Sequence, residues 1–288
     1  MKSSAIARIV LFSIAIVILG GILVGGLTIH KVSTAVDWTQ LFNSASGFGS
    51  IEGGTVASMG EVSPENVKNI EINWTSGSVT IQRADVDTIF FAEDPGLDEN
   101  QKMLWKLQGD TLVINNSRYR VVIGISKSKD LVVTVPMDWN CNDLEINCVS
   151  ADTTLNSITA NDVTINAVSG LCDFTGNCAI DKLTVETVDG DITYSGTLNK
   201  LNCEGVSADF RCTFIAVPHS IELSTVDGNI DLILPADAGF TAELDTISGK
   251  FTSNFDTVVS GSRYSCGNGA CSIEVDGVSG NITINKAQ

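Results

Sequence analysis

The stretch LTVETVDGDITY, residues 183–194, decides the fold. Leu183 and Val185 alternate with Thr184 and Glu186, and after Val188-Asp189-Gly190 the alternation resumes at Ile192 and Tyr194. Side chains on a strand point to opposite faces in turn, so each half reads as a half-buried strand. Between the halves stands a turn: Asp bonds nearby backbone, and Gly accepts a positive φ.

The same phrase, a branched aliphatic followed by Ser or Asp and then Gly or Ala, recurs along the chain. It stands at Val149-Ser150-Ala151, Val168-Ser169-Gly170, Val206-Ser207-Ala208, Val226-Asp227-Gly228, Ile247-Ser248-Gly249 and Val278-Ser279-Gly280. With Val188 included, the intervals are 19, 20, 18, 20, 21 and 31 residues, and Thr75-Ser76-Gly77 is a degenerate upstream copy. One strand-turn-strand unit cannot bury its apolar side alone, whereas stacked neighbours can. The period is too short for a propeller blade of roughly 40 residues. An antiparallel sandwich also has turns every 8–12 residues or so, but there the whole unit does not recur. The expected fold is therefore all-β: a single-stranded, β-helix-like β-solenoid with about 18–21 residues per coil.

Stacking turns repeat positions into rows. Four residues before the phrase come Glu145, Thr164, Thr184, Asn202, Glu222, Glu243 and Glu274; two before come Asn147, Asn166, Glu186, Glu204, Ser224, Asp245 and Asp276. Eight of these 14 outward positions are acidic, which predicts one anionic, hydrogen-bonding face. The candidate binding residues are Glu186, Glu204, Glu222, Glu243, Asp245 and Asp276. Its plainest role is to keep the sheet soluble and prevent lateral pairing. Beyond that, it suits a surface polymer or Ca2+, because carboxylates one coil apart repel without a counter-ion. The Asp189 and Asp227 of the phrases are turn-formers. With two histidines, His30 and His219, no Ser-His-Asp set arises from spacing, and no glycine-rich phosphate loop opens a helix. No catalytic residue and no cofactor are expected.

Of the 288 residues, 34 are acidic and 17 basic, which excludes nucleic acid as a partner because phosphates demand clustered Lys and Arg. Residues 9–29, IVLFSIAIVILGGILVGGLTI, carry no charge over 21 positions. That length crosses a hydrocarbon core of about 30 Å as a helix. Lys2 and Arg8 precede it, favouring a cytoplasmic N-terminus of residues 1–8. A cleaved signal peptide is the rival, but its apolar core runs only about 7–15 residues. The expectation is thus a single-pass protein of the cell membrane, with a flexible Gly/Ser-rich linker over 30–63 and an extracytoplasmic domain over 64–288. Within that domain, 64–140 reads as cap and first coils and 141–288 as regular repeats, the last interval being stretched by a loop from Asp256 to Ala270. Oligomeric state is left open.

Eight cysteines in an oxidising compartment permit disulfides. Cys266 and Cys271 bracket Gly-Asn-Gly and form the candidate hairpin staple. Cys172, Cys203 and Cys212 fall on inward positions, where free thiols pack as small apolar groups. None of the gaps matches the paired spacing of a zinc site, so no metal ligand is assigned among them.

GDTLVI (109–114), LVVTVP (131–136), the serial VSG/VDG turns, DLILPADAGFTAELDTISGKF (231–251) and SIEVDGVSGNITINK (272–286) together resemble the bacterial "putative adhesin" β-strand-repeat family, a domain of unknown function. The resemblance covers about residues 67 to 286. It implies an extracytoplasmic β-helix-like fold, often tethered by one helix in Gram-positive bacteria, and carries over no catalytic residues. The resulting expectation is a non-enzymatic surface domain that binds or senses envelope components. Two alternatives stand beside it: a carbohydrate-active β-helix enzyme acting on a polysaccharide, and an accessory membrane protein of an envelope-stress system whose helix engages its partners.

Overall fold

The structure, a computed structural model, describes residues 51–117 and 128–287. The segment 9–29 expected to span the membrane lies outside them. Among the described residues no helix is long and apolar enough to cross a membrane.

The described chain is all-β, with twenty strands in one continuous hydrogen-bonded sheet system. Each regular coil has two arms joined at the phrase. The arm before the phrase pairs in parallel with the equivalent arm of the next coil, and the arm after it does likewise. Leu144 lies beside Val163, Val163 beside Leu183, Leu183 beside Leu201, and Leu201 beside Ile221. On the second arm Leu155, Phe174, Tyr194, Cys212 and Leu232 fall in line. All these side chains are buried. Each large apolar one contributes roughly 1.5–3 kcal/mol by leaving water. Phe174, Tyr194 and Phe214 continue the interior as tilted ring contacts of 5.5 and 6.0 Å, while the Tyr194 hydroxyl donates to the Thr197 carbonyl at 2.8 Å.

The turn is tight enough to dictate its residue. A Cβ on Gly190 would lie 2.1 Å from the Gly170 carbonyl oxygen of the coil before, and one on Gly228 would lie 1.9 Å from that of Ala208. Close approach of stacked backbones explains glycine in the phrase here better than backbone angle does.

Chain order and spatial order part company at both ends. Asn69–Ala84 pairs on one side with Cys141–Asn156 and on the other with Thr111–Asn115 and Lys129–Pro136. At the far end Cys271–Ser279 and Ile282–Lys286 lie directly on Ser220–Asp227 and Ile230–Leu234. The earlier coil, Phe240–Ser248 with Phe251–Ser253, is the outermost one.

Antiparallel strands cap both arms at the first end and the first arm at the second. Ile89–Glu93 and Met59–Val62 extend one arm at the first end; Leu104–Gln108 and Thr55–Val56 extend the other. The linker expected over 30–63 therefore does not run to residue 63, because Thr55–Val56 and Met59–Val62 belong to the cap. At the second end the expected loop from Asp256 to Ala270 is instead a hairpin of Val258–Ser260 and Arg263–Cys266, the latter antiparallel to Phe240–Ser248. The outer strand there, Val258–Ser260, is three residues long, and so short an edge offers another chain little to pair with.

All eight cysteines carry free thiols, and seven are buried. The expected Cys266–Cys271 staple is not formed: Cys266 lies opposite Phe240 on one side of its strand and Cys271 on the other. Two strand spacings, about 9–10 Å, exceed the roughly 7 Å limit for a disulfide. Cys172, Cys203 and Cys212 point inward, where burial pushes the Cys172 and Cys212 thiols up to about 12 and Cys203 up as well.

Candidate functional site

The outward positions of the first arm form one face of the stack, and its two ends differ. Towards the first cap a row of asparagines runs across four coils. Asn73 Nδ2 donates to Asn115 Oδ1 at 2.9 Å, Asn147 Nδ2 to Asn73 Oδ1 at 3.0 Å, and Asn166 Nδ2 to Asn147 Oδ1 at 2.9 Å. Each amide offers its oxygen to the next, so this half satisfies itself.

Beyond Asn166 the same row turns acidic. Glu186 lies beside Asn166 and Glu204 beside Glu186. The next coil brings Ser224 into this row and Glu222 into the neighbouring one. There Glu222 adjoins Glu274, and Glu274 adjoins Glu243, while Ser224, Asp276 and Asp245 run alongside. All six candidate residues thus share one face. Glu274, which the sequence puts last, sits between Glu222 and Glu243 and completes five carboxylates in three adjoining coils.

Compensating charge is sparse. Lys182 and Lys200 stand four residues before Glu186 and Glu204 on the same face, and Arg263 faces Glu243 from the hairpin. Among the described residues the ion pairs are Lys68–Asp110, Lys102–Glu99 and Lys129–Glu93, none of them on this face. Partial loss of hydration holds the Asp276 carboxyl above the usual range, and Glu274, Asp245 and Glu243 push it further. Glu204 is raised by desolvation and then by Glu186 and Glu222; Glu186 is raised by desolvation. The face favours whatever neutralises it.

A cage for Ca2+ is a different matter. Such a cation draws about six to eight oxygens to roughly 2.3–2.6 Å, whereas carboxylates here come one per coil in each row, about 4.8 Å apart. Among the described residues no group of three or more His, Cys, Asp or Glu side chains is placed to hold a metal ion. His219 is exposed and only its backbone is engaged, joining Asn199 to Ser272 across the coils.

A second row, along the turn corner, escaped the sequence reading. Three residues after the start of most phrases stands an Asx whose side-chain oxygen accepts the backbone N–H of the next coil. Asp152 takes Leu171 at 2.9 Å, Asp191 takes Asp209 at 3.2 Å, and Asp209 takes Asn229 at 2.6 Å. Asn229 takes Asn281 at 3.1 Å, and Asn281 takes Lys250 at 3.2 Å. Its signal is the Asx at 152, 191, 209, 229 and 281, whose period is broken by Leu171 and Lys250.

A family described as "Toastrack DUF4097" matches residues 67–285. No curated protein matches the chain. Among solved structures, a "putative adhesin" of Bacteroides fragilis is 14% identical with a TM-score of 0.44, over 78% of this chain and 95% of that one. A "putative cell adhesion protein" of Clostridium sporogenes is 13% identical with a TM-score of 0.41, over 81% and 100%. A "putative lipid binding protein" of Parabacteroides distasonis is 14% identical with a TM-score of 0.35, over 80% and 96%. Likenesses at this level carry no functional argument.

Proposed function

This chain belongs to the Toastrack DUF4097 family, and on that premise we propose that it is a non-enzymatic, membrane-tethered surface protein that binds or senses envelope components. The stacked coils form a β-solenoid, held outside the cell by the 9–29 segment as a single-pass helix. Contact is made by the anionic face, through many weak interactions that add by avidity. The observation that supports this most is the cluster of Glu222, Glu274, Glu243, Asp276 and Asp245 in three adjoining coils. A rigid sheet holds these charges at fixed spacing, so a cationic or cation-bridged polymer meets them without further ordering of the protein. Ca2+ acts as a mobile counter-ion between face and polymer.

The test is charge reversal at Glu186, Glu204 and Asp245, each to Lys, in the full-length protein. Retention on isolated cell walls is expected to disappear while the melting transition remains. Unchanged retention would remove the face from the mechanism. Protease accessibility of the domain in intact cells tests the tether, since complete protection would place the domain inside.

A further inference from the structure

The second arm of each coil has its own outward face, and its chemistry differs from that of the first. One row runs through Thr80, Thr154, Thr193 and Thr283, and the neighbouring row contains Thr134 and Thr213. Among the described residues none of these hydroxyls bonds to another protein group except Thr283, which meets Thr252 at 3.3 Å. The amides of the first face and the Asx oxygens of the corner are already engaged. These hydroxyls are held in register with the coils, whose spacing is about 4.8 Å, and, Thr283 apart, their donors and acceptors are free for a ligand.

Charge on the first row is nearly balanced, two acids against one base, with Thr193 lying between Asp173 and Arg211. Asp173, Arg211 and Asp231 interrupt the row, and Arg211 stands directly beside Asp231. In a chain of net charge −17 this leaves a surface that neither attracts nor repels a neutral molecule strongly.

The rows end at the first cap on exposed apolar groups. Val132 continues the Thr80 row, Met59 lies beyond it across Ala92, and Phe90 continues the Thr134 row. Met59 is 62% exposed, Phe90 38% and Val132 37%. Apolar groups standing together on an outer face mark a contact surface more often than scattered ones do. An aromatic ring in line with unbonded hydroxyls complements both halves of what a sugar presents: an apolar C–H side and a rim of hydroxyls.

We propose that this second face binds an uncharged polysaccharide, whose chain lies along the stack with Phe90 under one sugar ring and the threonine rows along its hydroxyls. The charge balance selects the occupant: an anionic polymer meets a strongly negative protein, whereas a neutral glycan loses nothing on approach. The proposal stands apart from the anionic face and survives or fails separately from it.

The experiment is co-sedimentation of the full-length protein, in detergent, with insoluble cellulose, chitin and β-1,3-glucan, with polygalacturonate as the anionic comparison. Retention on at least one neutral glycan is expected. Phe90→Ala and Thr193→Glu should each reduce it at least tenfold without moving the melting temperature, and Glu186→Gln with Glu204→Gln should leave it unchanged. If Thr193→Glu disturbs the fold, Thr154→Glu takes its place on the same row. Four outcomes overturn the proposal: no retention on any of the three glycans, retention on polygalacturonate alone, retention indifferent to both second-face variants, or loss caused by the Glu186 and Glu204 changes instead.

Discussion

Cys266 and Cys271 face the same residue, Phe240, from opposite sides of its strand, so two thiols close in sequence cannot meet. The hairpin is held by strand pairing and by the Phe251–Tyr264 contact, with ring centroids 4.3 Å apart. Reducing agent is expected to shift the melting temperature by less than about 1 °C, whereas losing a bridge worth about 2 kcal/mol would lower it by several degrees. Titration of the denatured, unreduced protein should count eight thiols.

Acidification should stabilise the domain before it harms it. Asp276, Glu204 and Glu186 have carboxyls raised in the folded state, by desolvation first and, for Asp276 and Glu204, by neighbouring carboxylates. In the unfolded chain they revert to ordinary values, so at neutral pH folding keeps charges that the fold disfavours. As pH falls through the raised values the folded state takes up protons first, and stability rises until the unfolded chain is protonated too. Melting temperature is expected to climb as pH falls from neutral towards the ordinary carboxylate values of about 4. Glu204→Gln should raise it at neutral pH and flatten the climb. A melting temperature that falls steadily on acidification would contradict the reading.

The first cap depends on a buried ion pair. Lys129 Nζ donates to the Glu93 carboxylate, to the Asn116 carbonyl and, at 2.6 Å, to the Gln101 carbonyl, and lies 4.8 Å from the centre of the Trp74 ring. All three ammonium donors are used. Desolvation lowers the Lys129 amine and raises the Glu93 carboxyl, so each ion depends on the other. Lys129→Met should cost about 3–5 kcal/mol in denaturant unfolding, because it strands a buried carboxylate, and adding Glu93→Leu should recover more than half.

The corner ladder has one gap that substitution can fill. Leu171 occupies the Asx position and has no side-chain oxygen to offer the coil that follows, and its own side chain is exposed. Leu171→Asn is expected to stabilise by about 0.5–1 kcal/mol, and Asp209→Ala to destabilise by about 1 kcal/mol. Urea midpoints of the two variants, moving in opposite directions, check this.

The coil was legible because two periods coincide in it: alternation within each arm and a recurrence near 20 residues between coils. The anionic face followed from the same rows. The inverted order of the last two coils did not, since 240–253 and 271–286 carry the same apolar pattern and either would cover Ile221 and Ile230. The polar positions decide between them. Ser279 Oγ donates to Asp227 Oδ1 at 2.9 Å, and the Asn281 backbone N–H donates to Asn229 Oδ1. Asn281 in turn accepts from the Lys250 backbone, and Lys250 has no side-chain oxygen to pass on, which suits only the end of the ladder. The first cap was less legible because its strands pair antiparallel, so the repeat phrase does not mark them.

Placing the coil of 271–286 inside that of 240–253 gives the far end of the stack an order of assembly opposite to the order of synthesis. A chain made amino end first exposes the edge of Ser220–Asp227 and holds Phe240–Ser248 without its neighbour until Lys286 has emerged. The hairpin of Val258–Ser260 and Arg263–Cys266 lies between the two coils in sequence, so it leads the chain back to the gap that the later coil fills. Truncation before Cys271 would therefore remove the layer that joins the outermost coil to the rest, and not merely shorten the stack.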